Sequence, residues 1–486
     1  MDLNRLKSSQ IFQGGMGVAI SNWNLARTVS LLGQVGIVSG TGLAIVISRR
    51  LQNGDKDGMI RQALEHFPIP KMGRMIWDQY FVEGGKDPKK PFKSIPMPSH
   101  EPSYVSQALL IFSNFVEVWL AKRGHNGLIG VNYLEKLQAP RLPEMFGAIL
   151  AGVDFVIAGA GLAIGFPDVL DRLMSFETAT YNLGVVNDYG LNFAFPMQFN
   201  PASVMPKNDF QALGLSQPGC LGIVSTAAAA NILDSKSGRR FDGWVVEGPR
   251  AGGHNASPRK STELNERGEP IYDMDGKDNP GLDAIRELGL PYWLASEQCS
   301  PKALQAAPGL GANGVQIGTA FSICEESGHQ LETKLQAIAE IKAGTYDVFT
   351  DPLASPSGYP FKVVLRSGTM GDESCYTKRN RICDLGYLRH AYADADGKIG
   401  WRCPAEPVED YLRKGGKVGD TVDRKCICNG LMGTLGLGQV RKKSGYVEPP
   451  IITSGDDVAF LEHLPLGSNG LYGARDVIDY VLGATT

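Results

Sequence analysis

Short apolar runs alternate with helical patterns along much of the chain. The runs are rich in β-branched and aromatic residues and are bounded by glycine and polar residues, which predicts strands. Strands are predicted at residues 34–39, 128–132, 154–158, 193–198, 220–224, 244–247, 292–295 and 314–317, and just before Gly14. Helices are predicted at residues 142–150, 226–233, 283–288 and 301–307. Continuous apolar strands that alternate with helices predict parallel βαβ units buried on both faces.

The number of strands predicts an α/β fold, a (β/α)8 TIM barrel. Because there is one strand more than this barrel needs, the run at 193–198 is expected to be an insertion or a lid. Residues 1–350 are assigned to the barrel, with an inserted helical excursion at about residues 50–127. Residues 351–486 are richer in glycine, charge and cysteine and are assigned to a C-terminal cysteine-containing subdomain. The helices predicted within the excursion are 59–66 and 105–122.

Composition narrows the class of protein. The 48 basic and 51 acidic residues among 486 give a net charge of −3, which leaves no basic excess for a nucleic-acid partner. Residues 1–10 lack the apolar stretch of an export signal, so the eight cysteines suit a reducing cytoplasm. Residues 145–166 contain Asp154 and several glycines, which favours a helix end, a strand and a loop over a membrane span. We expect a cytoplasmic protein with a small-molecule substrate and no nucleic-acid or membrane partner, and a homo-oligomer stays open.

Glycine-bearing loops follow several of the predicted strands. In a (β/α)8 barrel the carboxyl ends of the strands meet at one face, where active sites are built. The loops after the last two strands often bind phosphate through backbone N–H groups, and here they contain Ser296 and Thr319 but no lysine or arginine. Taken singly, such glycines are more simply explained as relief of crowding in turns. The loops are residues 14–17, 159–161, 252–254 and 318–319.

His254 is the sharpest chemical candidate, because it lies just past a strand end and beside two glycines. An imidazole with a pKa near its ordinary value of about 6.5 can take or give a proton at neutral pH. A histidine that only caps the loop is the structural alternative. Other nucleotide-binding and metal-binding motifs are absent. The glycines at 159–161 are one residue out of register for a dinucleotide fingerprint, and no Walker A loop or H-E-x-x-H motif occurs.

These segments together resemble the nitronate monooxygenase family, formerly called 2-nitropropane dioxygenases, which are FMN-dependent (β/α)8 barrels. The resemblance spans roughly residues 10–345 in the family's order, and its most specific parts are the A-G-G-H and G-V-Q-I-G-T runs. It implies that His254 is catalytic and that FMN is the cofactor. The matching segments are 14–21, 130–132, 159–161, 251–254 and 314–321. The cofactor-binding residues expected from the resemblance are Gly15, Met16, Gly17, Asn132, Gly252, Gly253, Ala295, Ser296, Gln316, Gly318 and Thr319.

The chain departs from the family at two places. Arg250 stands where the family commonly has an acidic residue, and like-charge repulsion is expected to lower the proton affinity of His254. Ser296 and Glu297 stand where the family has a second glycine pair, at one wall of the phosphate site. The resemblance implies oxidation of alkyl nitronates by O2 to a carbonyl compound and nitrite. An NAD(P)H-dependent flavin enoyl reductase and a flavin-binding regulatory module without turnover are the alternatives.

Four of the eight cysteines lie close together in the C-terminal part: Cys383, Cys403, Cys426 and Cys428. Four thiolates could bind zinc or an iron–sulfur cluster. However, zinc sites usually show two short cysteine pairs, and only one is present here. Buried free thiols without metal are therefore the favoured interpretation, with a metal site as the alternative.

Overall fold

Fourteen strands appear in the described part of the chain, and eight of them form one parallel sheet. The computed structural model describes residues 3–186, 192–259, 263–442 and 444–484. The sheet has the order β1-β10-β9-β8-β7-β4-β3-β2, and a parallel bridge between Phe12 and Val35 joins its two edges, so that it closes into the predicted (β/α)8 barrel. In chain order the strands are β1 Ile11–Gln13, β2 Gly36–Ser39, β3 Ile129–Leu134, β4 Phe155–Gly159, β5 Ala179–Val186, β6 Asn192–Phe199, β7 Gly219–Val224, β8 Gly243–Glu247, β9 Tyr292–Ala295, β10 Gly314–Ile317, β11 Val348–Asp351, β12 Phe361–Val364, β13 His390–Ala393 and β14 Ile399–Arg402.

The barrel interior is filled by side chains. Phe12 of β1 stacks on Trp293 of β9 with 4.2 Å between ring centroids, and both side chains are fully buried. Phe155 and Ile157 of β4 belong to the same buried cluster. Because side chains fill a barrel of eight strands, a ligand has to bind at the mouth, beyond the strand ends.

Eight helices lie around this sheet: α2, α6, α7, α8, α10, α11, α12 and α18. The last of them comes from the end of the chain, since α18 packs between α12 and α2 and buries Val477 and Ile478. The eighth barrel helix is thus separated from the eighth strand by about 150 residues, a count taken along the sequence. In chain order the helices are α1 Leu3–Lys7, α2 Trp23–Leu31, α3 Leu43–Gln52, α4 Met59–Glu65, α5 Pro70–Tyr80, α6 Tyr104–Lys122, α7 Arg141–Leu150, α8 Phe166–Met174, α9 Lys207–Ala212, α10 Ala227–Lys236, α11 Leu282–Glu287, α12 Pro301–Ala306, α13 Thr319–Ile323, α14 Leu331–Lys342, α15 Glu373–Thr377, α16 Val408–Arg413, α17 Ile427–Thr434 and α18 Ala474–Leu482.

Helix α6 is long and apolar enough to cross a membrane, but 78% of its apolar window is buried within the protein. It packs against α2, α3 and α7, as a core helix of the barrel layer does. The segment 145–166 is the end of α7, the strand β4 and a glycine loop, as predicted.

Two insertions flank the barrel. Helices α3, α4 and α5 fill the excursion between β2 and α6. The predicted extra strand is β6, which pairs with β5 outside the barrel, in a four-stranded sheet of order β14-β13-β5-β6. Two strands of this sheet come from residues 351–486, so the C-terminal part is joined to the insertion after β4 by backbone pairing.

The C-terminal residues also share an apolar core with the barrel mouth. Val18 and Ile45 from the barrel side pack in one cluster with Met432 and Ile451. The boundary at residue 350 stays a prediction. The shared core and the position of α18 nevertheless mean that residues 351–484 cover the mouth and complete the outer layer.

Candidate active site

The loop after β1 is held in place by its own backbone and by one buried serine. The N–H of Gly14 donates to the carbonyl oxygen of Ile317 at 2.8 Å, which fixes the loop to the end of β10. Ser21 Oγ donates to the carbonyl oxygen of Gly14 at 2.8 Å and accepts the N–H of Met16 at 2.9 Å. Gly14 to Gly17 therefore present backbone and little side chain to the cavity at the barrel mouth.

Asn132 at the end of β3 ties this loop to the neighbouring strand ends. Its Nδ2 donates to the carbonyl oxygen of Gly15 at 3.0 Å. The contact is so close that a Cβ atom on Gly15 would overlap the Cβ of Asn132. Glycine at 15 is therefore required by space, and not only by turn geometry.

His254 lies in the loop after β8 and reaches the C-terminal part of the chain. Its Nε2 is 2.7 Å from Ser355 Oγ, and Ser355 Oγ is 2.7 Å from Ser357 Oγ. Its ring meets Phe361 edge-on at 4.8 Å between centroids. Burial lowers the pKa of His254 to about 4, and the positive charge of Lys136 adds to this. The imidazole is neutral at pH 7, so it acts by hydrogen bonding or as a weak base, and not as a cation.

Arg250 does not have the expected effect on His254. The positive charge that acts on the imidazole is that of Lys136, after burial as the larger cause. Arg250 instead turns to acidic side chains at the rim of the cavity, with its guanidinium 2.7 Å from Glu297 and 3.6 Å from Asp456. The expectation of a direct repulsion between Arg250 and His254 is therefore wrong.

The loop after β9 keeps a glycine-like backbone without glycine. Ser296 has φ +73° and Glu297 has φ +55°, both in the left-handed region that side chains rarely adopt. Ser296 Oγ holds this turn by donating to the carbonyl oxygen of Gly248 at 2.8 Å. Ser296 and Glu297 thus hold a backbone conformation that glycine adopts without penalty, at the cost of backbone strain beside the cavity.

The end of β10 carries an unpaired acceptor. Gln316 is 9% exposed, and its Oε1 has no hydrogen-bond partner although it is buried. A buried acceptor without a partner costs free energy, so it marks a place where a ligand can donate a hydrogen bond. Beside it, Thr319 Oγ1 accepts the N–H of Gly455 at 3.0 Å, and Thr453 Oγ1 accepts the N–H of Gly253 at 2.8 Å.

All the predicted site residues except one line the same cavity at the barrel mouth. The exception is Ala295, which is 8% exposed and packs in the barrel interior with Trp293. Its side chain points inward because the last residue of β9 faces the core, and only the next residue, Ser296, enters the cavity. The others are Gly15, Met16, Gly17, Asn132, Gly252, Gly253, His254, Ser296, Gln316, Gly318 and Thr319.

Sequence reasoning missed Glu247 and the C-terminal wall, of which it singled out only Cys428, as a candidate metal ligand. Glu247 ends β8 and lines the cavity, and burial raises its pKa to about 7, so it titrates near neutral pH. Its place as the last residue of a strand could have revealed it. The residues of the C-terminal wall follow no strand of the barrel and carry no motif. They are Tyr387, Leu388, Ile427, Cys428, Leu431, Met432, Thr453, Ser454, Gly455, Asp457 and Phe460.

The four C-terminal cysteines surround a second, smaller cavity behind this wall. Cys383, Cys403, Cys426 and Cys428 all line it, although long gaps separate the first three in sequence. All are free thiols. Among the described residues, there is no group of three or more His, Cys, Asp or Glu side chains that could hold a metal ion.

Comparison with known proteins gives a partial match. Residues 191–350 match the model of the family "Nitronate monooxygenase". A curated protein of Bacillus subtilis (strain 168) named "Probable nitronate monooxygenase" is 34% identical over 115 residues, which cover 23% of this chain and 30% of that protein. The chain thus spans about a third of the length of this relative.

Solved structures with a similar arrangement are distant in sequence. FabK from Thermotoga maritima is 15% identical, with a TM-score of 0.40, over 75% of this chain and 74% of that chain. A nitroalkane oxidase from Streptomyces ansochromogenes is 16% identical, with a TM-score of 0.36, over 73% and 76%. The enoyl reductase domain of MlnA from Bacillus amyloliquefaciens is 11% identical, with a TM-score of 0.44, over 99% and 95%. Because these identities and scores are low, they say nothing about activity, and the fold rests on the strand pairing described above.

Proposed function

Because residues 191–350 match the model of the nitronate monooxygenase family, we propose that the chain is a flavin-dependent oxidoreductase of this family that binds FMN and oxidises alkyl nitronates. In the overall reaction two nitronates and one O2 give two carbonyl compounds and two nitrite ions: each carbon–nitrogen bond breaks, nitrite leaves, and each oxygen atom of O2 becomes the oxygen of one carbonyl product. When bound, FMN would supply the electron transfer between substrate and O2. The single observation that carries the proposal is that His254 and the glycine loops of five strand ends line one cavity.

The residues at the mouth fit a flavin ring. The unpaired Oε1 of Gln316 suits an N–H donor such as the ring imide, which would satisfy this buried acceptor. Gly318 leaves the backbone open to close approach by a flat ring, since a Cβ on Gly318 would have no neighbour nearer than Met16 Sδ at 3.7 Å. Backbone N–H groups at the ends of β9 and β10 would hold the phosphate, because no lysine or arginine lies in those two loops.

His254 would position the nitronate through a hydrogen bond. In this proposal Ser355 Oγ donates to Nε2, which leaves Nδ1 as the ring nitrogen that carries the proton. A neutral imidazole N–H can donate to a nitronate oxygen at pH 7 without a change of charge. The low pKa of His254 keeps this form populated over the whole neutral range.

The test is anaerobic mixing of the purified chain with propane-2-nitronate, followed by admission of O2. We expect the flavin absorption to bleach, then to return with release of nitrite. His254→Ala should lower turnover by about 100-fold or more, since positioned proton-transfer and hydrogen-bonding groups contribute on this scale. Flavin content should stay the same. His463→Ala, at an exposed histidine that stacks on Tyr480, is the matched control.

Three outcomes would overturn the proposal. Bleaching by NADH and not by nitronate would favour a reductase acting on enoyl thioesters. A bound flavin that neither compound reduces would favour a regulatory module without turnover. If the protein takes up no FMN at all, FMN is excluded as its cofactor, and only the fold assignment is left.

A further inference from the structure

The cavity at the barrel mouth has a charged side. Among the described residues that line it, the Asp, Glu, Lys and Arg side chains are those of Glu247, Arg250, Glu297 and Asp457. Three of these lie at the end of β8 or in the loops after β8 and β9. The fourth, Asp457, directly follows Asp456, which is an ion-pair partner of Arg250. The charged groups of the lining are therefore concentrated at β8 and β9.

The side across the barrel is apolar. Val18 lies in the loop after β1, Ile45 lies in α3 after β2, and Leu137 lies in the loop after β3, and all three line the cavity. In the closed order of the eight barrel strands, β2 and β3 stand opposite β8 and β9. The charged end and the apolar end of the cavity thus face each other across the barrel mouth.

Helix α17 of the C-terminal part covers the apolar end. Ile427 and Leu431 are four residues apart, so they lie on one face of this helix, and both line the cavity. Ile427 packs in the same buried apolar cluster as Val18 and Leu137, and Leu431 packs against that cluster. Leu431 is only half-buried, so part of its side chain is open to the cavity. Such a surface gains free energy when an apolar group displaces water from it.

Phe361 connects this apolar end to His254. The two rings meet edge-on at 4.8 Å between centroids, and both residues line the cavity. Phe361 also belongs to the apolar cluster that contains Ile427. The apolar surface therefore begins beside the imidazole and continues to α17, so a ligand with its head group at His254 has an apolar wall next to its tail.

We propose that the apolar end binds the hydrocarbon chain of the substrate, so that the preferred substrates are nitronates with a long unbranched alkyl chain. This inference rests on the proposed function, because His254 is there the group that holds the nitronate head. Each CH2 group that leaves water for the apolar end should strengthen binding about three- to fourfold. The methyl-bearing ring of FMN is the other apolar group that could fill this space, and the test separates the two.

The test compares kcat/KM for nitronates made from nitropropane, nitropentane and nitroheptane, each with the nitro group at the end of the chain. We expect kcat/KM to rise about three- to fourfold per CH2 group, mainly through KM, because the chain is bound equally in the ground state and the transition state. Leu431→Asn should reduce the rise to less than about twofold per CH2 group. Leu435→Asn is the matched control, because Leu435 is one turn further along, is also half-buried, and does not line the cavity.

A second measurement does not depend on turnover. Propanoate, pentanoate and heptanoate carry a planar anionic head like that of a nitronate, and their affinities for the FMN-loaded chain are measured by calorimetry. The affinity should rise with chain length in the wild type and in Leu435→Asn, and much less in Leu431→Asn.

The outcomes separate this inference from the proposed function. Turnover of all the nitronates with no dependence on chain length would overturn the inference and leave the proposed function standing. If no nitronate is oxidised, the proposed function fails, and equal affinities of the three carboxylates would then overturn the inference as well. If Leu431→Asn weakens FMN binding but keeps the dependence on chain length, the apolar end holds the flavin ring, and the inference is wrong.

Discussion

The barrel mouth is built from two regions that differ in how their residues reach the site. On the barrel side, each residue sits at the end of a strand or in the loop after it, so that Gly15, Asn132 and Gln316 meet because parallel strands end together. On the C-terminal side, Ser355 and Gly455 arrive from irregular segments between short elements, and Cys428 comes from the first turn of α17. The first region is specified by local order along the chain, and the second by long-range packing.

This difference explains which bonds join the two regions. His254 and Gly253 of the barrel side bond to Ser355 and Thr453, and Thr319 bonds to Gly455. In each case a strand-end loop meets the C-terminal wall through a hydroxyl group. Under the proposed function, the barrel side would hold the chemistry, and the C-terminal side would orient it and exclude water.

The largest expected effect concerns α18, which decides whether the two regions fold as one. Val477 is fully buried between α12 and α2. Val477→Asp should destabilise the chain by about 3–5 kcal/mol, because it buries a charge without a partner. If α18 is part of the barrel layer, flavin binding should be lost together with the C-terminal structure, as measured by flavin fluorescence during urea unfolding. Arg475→Ala, on the exposed side of the same helix, should change little.

Two separate unfolding transitions in this experiment would contradict that view. They would instead support an independent subdomain after residue 350. A single transition would extend the barrel to the end of the described chain.

The sequence predicts the barrel side well because its signals are local. All eight barrel strands and the excluded strand at 193–198 follow from apolar runs bounded by glycine, and the structure confirms them. The helix predicted at 105–122 is present as α6, but it belongs to the barrel layer. The place of α6 in the barrel layer could not be predicted from its own sequence pattern, which shows only that the helix is apolar on most sides.

The C-terminal side could not be predicted, for a physical reason. The pairing of β13 with β5 joins residues some two hundred positions apart. The hydrogen bond from Ser355 to His254 likewise depends on how β11 and β12 place the loop between them. The position of Ala295 could not be predicted either, because a shift of one residue at a strand end reverses the direction of the side chain.

A smaller effect is expected from crowding on the barrel side. Gly15→Ala places a methyl group against Asn132, where backbone and side chain are both held by a hydrogen bond. The strain should weaken FMN binding by about 1–3 kcal/mol, or roughly 10- to 100-fold in Kd, as for overpacking elsewhere. Gly309→Ala is the matched control, because Gly309 does not line the cavity and its new methyl would meet nothing within 4 Å. Equal affinities of the two variants in a flavin titration would mean that the loop at Gly15 absorbs the methyl group without moving the FMN site.

A substitution of Ser355 tests what the C-terminal side alone contributes to the site. Ser355→Ala removes a donor to His254, which should cost about 1 kcal/mol and lower turnover about fivefold. If Ser355 Oγ donates to Nε2, as proposed, the bond stabilises the neutral imidazole, so its loss should raise the pKa of His254. The acid limb of the pH profile should then move to higher pH.

Ser357→Ala is the control for this prediction, because Ser357 bonds to Ser355 and has no bond to the imidazole. NMR titration of the histidine ring gives a readout that does not depend on turnover. A lower turnover rate with an unchanged pH dependence would mean that Ser355 acts only through packing.

The smallest effect is expected at the rim, where the two regions meet through charges. Arg250 is 55% exposed and Glu297 36% exposed, so their ion pair is screened by solvent and contributes little to stability. Arg250→Ala should leave the free energy of unfolding unchanged within about 0.5 kcal/mol. If the guanidinium attracts an anionic substrate, the mutation should instead raise KM for nitronate, and high salt should remove that difference. Glu297→Gln should shift KM in the opposite direction, because it frees the same guanidinium from its partner. Equal KM values in all three proteins at low salt would confine substrate recognition to the groups below the rim, above all His254.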